Sequence, residues 1–145
     1  MTGIAFLSGL LGVLITFGNL PLKAQVNRHG TTNTTVHLNN NNFNILNGIQ
    51  NGNNLFPSFQ EFSIPQGSSA TFKNSSAIEN IINRVTGGNI SNIDGLIKAP
   101  GNANLFLINP NGIVFGENSR LDIGGSFLGS TAESILFKDG FTYSA

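Results

Sequence analysis

From Thr31 onward, apolar residues come in short runs cut by Asn and Gly. The runs are 34–38, 43–46, 55–64 (interrupted at Pro57), 70–73, 78–85, 96–97, 105–108, 113–115, 120–123, 126–128 and 135–137. Runs this short, bounded by turn formers at close spacing, predict strands, and the chain as a whole reads as all-β. The density of Gly, Asn and β-branched residues opposes helix almost everywhere. Residues 75–84 come nearest to an exception, because Ile78, Ile81 and Ile82 share helical spacing. Asn80 and Asn83 within that stretch favour strand.

The second half of the chain sets the architecture. Leu105-Phe106-Leu107-Ile108 is followed by Asn109-Pro110-Asn111-Gly112, then Ile113-Val114-Phe115, then Gly116-Glu117-Asn118-Ser119, then Arg120-Leu121-Asp122-Ile123. Strands of a sandwich usually run to about five or six residues. Three- and four-residue strands with a corner after each fit a parallel β-helix instead, in which each face of a coil is one short strand. Asn suits such corners because it tolerates a left-handed backbone. Its amide can also bond the equivalent amide one coil away. A coil of about 20–25 residues predicts roughly four or five coils. Asn109-Pro110-Asn111-Gly112 fits a type I turn, with Pro at the second position and Gly at the fourth. Residues 39–42, all Asn, predict a loop or hairpin tip. Phe56, Phe59 and Phe62 recur every third residue, and Pro57 makes irregular strand the better reading. Their first expected role is core packing near a cap; the second is an exposed apolar edge that adds a strand to a partner.

The N-terminus is a different kind of segment. Residues 4–20 are almost uncharged and rich in Leu, Ile, Phe and Val, and Pro21-Leu22-Lys23-Ala24-Gln25 follows. Leu22 and Ala24 sit where a signal peptidase reads its substrate, so residues 1–24 predict a secretory leader cut between Ala24 and Gln25. A membrane anchor needs about 20 apolar residues, and this run is broken by Gly9, Gly12 and Gly18. The mature part, 25–145, is then one domain with no stable membrane span. At the other end, Phe141-Thr142-Tyr143-Ser144-Ala145 is no polar cap, although solenoids need one. The expectation is a chain truncated at its C-terminus, the front of a longer protein.

Charge changes the list of partners. Charged residues make up 10% of the chain, and Lys plus Arg balance Asp plus Glu at seven each. Nothing in that balance neutralises phosphates, which argues against nucleic acid and anionic lipid. There is no cysteine, which suits a chain threaded unfolded through a pore, since a disulfide would close a covalent loop. His29 and His37 are the only histidines, so metal ligands are lacking. Glu61, Glu79, Asp94, Glu117, Asp122, Glu133 and Asp139 stand isolated in sequence. The expectation is a protein without metal, cofactor or catalytic residues. The alternative is a carbohydrate-binding or polysaccharide-cleaving β-helix, in which coiling brings two carboxylates together.

Three blocks carry a family resemblance. They are Arg84-Val85-Thr86-Gly87-Gly88-Asn89 with Ser91-Asn92-Ile93-Asp94-Gly95, then Asn102 through Gly116 around Asn109-Pro110-Asn111-Gly112-Ile113, and earlier Asn54 through Pro65, with Thr31-Thr32-Asn33-Thr34 before it. Together they resemble the filamentous haemagglutinin N-terminal domain, the two-partner secretion domain, in its cyanobacterial form. The resemblance implies a single-stranded, pectin-lyase-like, right-handed parallel β-helix with an N-terminal β cap. It implies that Asn109, Pro110, Asn111, Gly112 and Ile113 form a motif for transporter recognition or folding, with Asn89, Ser91, Asn92 and Ile93 as a second motif. As partners it implies the Sec translocon and signal peptidase, then the periplasmic domains of an outer-membrane β-barrel transporter, with the protein reaching the cell surface by way of the periplasm. One position departs: Ile90 stands where the family usually has Pro, and Ile lacks the backbone angle that Pro presets.

Overall fold

The structure, a computed structural model, describes residues 26–145. The leader and its cleavage site at Ala24 and Gln25 lie outside the described residues. Sixteen strands follow in order among the described residues: Val26–Arg28 (β1), Thr35–Asn39 (β2), Asn42–Leu46 (β3), Ile49–Asn51 (β4), Asn54–Phe56 (β5), Ser58–Phe62 (β6), Ser69–Lys73 (β7) and Asn80–Val85 (β8). The second half gives Ser91–Ile93 (β9), Leu96–Ala99 (β10), Asn104–Ile108 (β11), Ile113–Phe115 (β12), Arg120–Ile123 (β13), Phe127–Ser130 (β14), Ser134–Leu136 (β15) and Thr142–Ser144 (β16).

The strands coil into a parallel solenoid with three faces. On the first face β3, β7, β10 and β13 are parallel neighbours, so Asn42, Ser69, Leu96 and Arg120 stack in steps of 27, 27 and 24 residues. The second face stacks β5, β8, β11 and β14, with Asn54 to Asn80 a step of 26, Asn80 to Asn104 one of 24 and Leu105 to Phe127 one of 22. The third pairs β9 with β12 and bridges Ile64 to Ile93, a step of 29. Coils therefore run from 22 to 29 residues rather than the 20–25 expected. The early ones are longer because loops such as residues 74–79 bulge at their corners.

Alternation along each strand decides what fills the interior. Phe43, Ala70 and Ile97 are in register and buried, as are Ile45 and Phe72. In the first row the small Ala70 lies between the larger Phe43 and Ile97, which lets the stacked coils interdigitate. Phe59, Phe62 and Phe72 form one aromatic group inside, with ring centroids 5.0 to 6.5 Å apart. Removing a fully buried side chain here, as in Ile97→Ala, costs about 2–5 kcal/mol.

The anticipated amide stacking runs the length of the second face. Asn80 Nδ2 donates to Asn54 Oδ1 at 2.9 Å and Asn104 Nδ2 to Asn80 Oδ1 at 3.0 Å. The Ser126 backbone N–H then donates to Asn104 Oδ1 at 2.9 Å. Asn80 and Asn104 each bond in both directions, so four coils share one register.

Antiparallel strands close the N-terminal end. β2 pairs with β3, β4 with β5, and β1 with β6. The Asn run forms the β2–β3 hairpin tip, and Asn40 takes φ 55° there, the left-handed backbone that Asn tolerates.

Two expectations need correction. The run 135–137 is no coil strand: β15 pairs antiparallel with β16, and this hairpin lies on the outside of the second face. Its turn closes on Gly140, at φ 88°, and on Asp139 Oδ1, which accepts from the Phe141 N–H at 2.9 Å. The three-residue recurrence of Phe56, Phe59 and Phe62 also presents no free apolar edge. β6 already has β1 on one side and β8 on the other, and all three rings are buried.

Candidate functional site

Both sequence motifs lie at one corner of the solenoid, one coil apart. β9 and β12 put Ser91 opposite Ile113, Asn92 opposite Val114 and Ile93 opposite Phe115. The Asn109-Pro110-Asn111-Gly112 turn therefore stacks on the corner that contains Asn89 and Ile90. Its Gly112 N–H donates to the Asn109 carbonyl at 3.0 Å, closing the turn the sequence predicts.

Asn109 holds the two corners together. Its side chain is fully buried, and Nδ2 donates to the Asn89 carbonyl at 2.9 Å and to Ser91 Oγ at 3.0 Å. Oδ1 accepts from the Asn111 N–H at 2.9 Å and from Asn111 Nδ2 at 3.3 Å. The main chain is tied in as well: Ser91 N–H donates to the Gly112 carbonyl at 3.0 Å, and Asn109 N–H to the Ser130 carbonyl at 2.9 Å. A buried polar side chain is stable only when so satisfied, and this one has no bonding capacity left for a partner.

The Ile90 departure has a local account. Gly112 sits at φ 122°, and a Cβ there would lie 3.3 Å from Ile90 Cγ2. Ile90 thus supplies an apolar floor on which the glycine of the next coil rests. Asn89 reaches the other way, donating from Nδ2 to Glu61 Oε2 at 2.7 Å.

Of the motif residues, Ser91, Ile93 and Asn109 are buried, Pro110, Gly112 and Ile113 are half-buried, and Asn89, Asn92 and Asn111 are exposed. The accessible strip is amide and apolar in character, with Ile90 and Val114 beside the asparagines. Its chemistry is hydrogen bonding and apolar contact. It contains no nucleophile or general base.

Two carboxylates, Glu61 and Asp94, brace corners. Glu61 accepts from Asn89, and Asp94 Oδ1 accepts from the Asn118 N–H at 3.0 Å, spanning one coil step. Among the described residues no three His, Cys, Asp or Glu side chains gather as a metal site. No helix among them is long and apolar enough to cross a membrane.

A second cluster has no counterpart in the sequence reading. Arg84 Nε donates to Ser58 Oγ at 2.8 Å, Nη1 to the Ser144 carbonyl at 2.8 Å and Nη2 to Thr31 Oγ1 at 3.1 Å. Its guanidinium lies 4.7 Å from the centre of the Tyr143 ring. Tyr143 donates its hydroxyl to the Pro57 carbonyl at 2.8 Å. Burial pushes its pKa from 10.0 up to about 12, against the opposing pull of Arg84 and Ser58. The only signal available was that Tyr143 is the single tyrosine, which says nothing about where it lands.

Comparison with known proteins agrees with the solenoid fold. The family described as the TPS secretion domain matches residues 24–145. A heme/hemopexin-binding protein of Haemophilus influenzae (strain Rd) is 36% identical over 69 residues, which are 48% of this chain and 7% of that protein. The crystal structure of the HMW1 secretion domain from Haemophilus influenzae is similar at a TM-score of 0.56 and 28% identity, covering 74% of this chain and 27% of that one. The chain thus spans only a small part of the length of the relatives it matches.

Proposed function

This chain belongs to the TPS secretion domain family, and on that premise we propose that it brings a longer exported protein to a cognate outer-membrane β-barrel transporter. The observation that carries the reading is the family match from residue 24 to residue 145, which takes in both stacked corners. Residues 1–24 engage the Sec translocon, and signal peptidase cuts between Ala24 and Gln25. The soluble periplasmic domains of the transporter then recognise residues 25–145. The chain passes outward unfolded, and its coils re-form outside as a template for a downstream passenger. That passenger is a haemagglutinin- or adhesin-like surface protein of the filamentous haemagglutinin type, in its cyanobacterial form.

The stacked corner has a divided role in this reading. Asn109, Ser91 and Ile93 set the geometry, while Asn89, Asn92 and Asn111 offer amides that a partner can bond. No catalytic step enters, and the engagement of Glu61 and Asp94 in corner bonds supports that.

Co-expressing the chain with and without its transporter tests the reading. The expected result is protein in the medium only when the transporter is present, and periplasmic accumulation otherwise. Equal release in both cases overturns it.

A further inference from the structure

We propose that the β15–β16 hairpin is a clasp, closing over the first three coils as a separate last step of folding. Until it closes, the Phe56 ring on the outer side of the first coil stands open. The backbone supports a separate unit: β15 and β16 pair only with each other among the described strands. The backbone bonds of Phe137, Gly140 and Ala145 likewise stay within residues 133–145. The solenoid sheets are complete without the hairpin.

Side chains make the attachment. The Phe56 ring meets Phe137 and Phe141 at 5.8 Å each and Tyr143 at 4.6 Å. Tyr143 bonds the Pro57 carbonyl and Arg84 bonds the Ser144 carbonyl, both at 2.8 Å. A lone two-stranded hairpin is marginal in water, so this one gains its order by docking.

The placement breaks the rule that coils touch only their neighbours. The clasp packs against Phe56 of the first coil, Ile82 of the second and Ile108 of the third in one apolar cluster. Tyr143 and Pro57 are 86 residues apart, and contacts so distant in sequence form only after long loops have closed. In a chain that folds as it emerges, the first coil cannot be sealed until residue 144 is free.

Tyr143 reports this step by itself, since the chain has one Tyr and no Trp. Full-length protein unfolded in urea is diluted, with strand formation followed by far-ultraviolet circular dichroism. Tyr143 closure is followed by acrylamide quenching of its fluorescence. The expected result is that the strand signal recovers first and Tyr143 protection later. In Phe56→Ala the delay lengthens, and the quenchable fraction of Tyr143 at equilibrium rises roughly tenfold or more while the strand signal stays. Coincident recovery of the two signals in the wild type overturns the proposal. Loss of the strand signal in Phe56→Ala also overturns it, because the solenoid would then depend on the clasp.

Discussion

Asn109 shows how one residue can serve two corners, because its Nδ2 donates across the coil boundary to Asn89 and Ser91 while its Oδ1 accepts from Asn111 within its own turn. Asn109→Ala leaves the Ser91 hydroxyl, the Asn89 carbonyl and the Asn111 N–H without this partner. Unmade bonds of buried groups cost about 1–3 kcal/mol each, so a loss on the order of 2–4 kcal/mol is expected, read from the urea midpoint at unchanged slope. Asn111→Ser, at an exposed position, should shift stability by no more than about 0.5 kcal/mol. Export of the two variants then separates shape from contact. If recognition reads the amides, Asn111→Ser lowers export despite normal stability; if the corner is only architecture, it exports like the wild type. The turn itself was legible in the sequence, because Asn-Pro-Asn-Gly specifies it locally. The Asn89 and Ser91 partners, 20 and 18 residues away, were not.

Elements differ in how far the sequence reveals them, for reasons visible in their side chains. β3, β7 and β11 alternate buried apolar residues with less buried ones, and the runs 43–46, 70–73 and 105–108 mark them. β9 was missed because Ser91 is polar yet buried and Asn92 faces out, leaving one apolar residue in three. The docking of the hairpin was hidden as well, since its partners lie on β5, β8 and β11. Its attachment carries a pH prediction. Folding raises the Tyr143 pKa from 10.0 to about 12, so the neutral phenol is favoured in the folded state. The resulting stabilisation is complete below pH 10 and is lost as pH rises through about 12. The clasp should therefore open in that window, with tyrosinate absorbance rising near pH 12 in the wild type and closer to pH 10 in Phe56→Ala. A wild-type titration centred at 10 in the folded protein would contradict the buried, bonded phenol.

At the scale of the whole molecule the solenoid has two unlike ends. Antiparallel strands β1, β2 and β4 cover the N-terminal side, whereas β12, β13 and β14 each have a strand partner on one side only among the described residues. An open edge invites pairing with another chain unless charge or irregularity blocks it. β13 carries Arg120 and Asp122, but β12 and β14 carry no charge, and their outward Val114 and Leu128 are about half exposed. Nor does long-range repulsion help, because the formal net charge is zero. The isolated domain is therefore expected to self-associate as its concentration rises, with little response to added salt. Placing Lys at both positions, Val114→Lys with Leu128→Lys, should suppress that association in sedimentation velocity. The core should be little disturbed, since neither side chain faces it. The same edges would receive the next coil of a downstream passenger, so the double variant should also slow the folding of an attached passenger after export. If association continues undiminished in the double variant, these edges are not where copies meet, and the end does not extend by strand pairing.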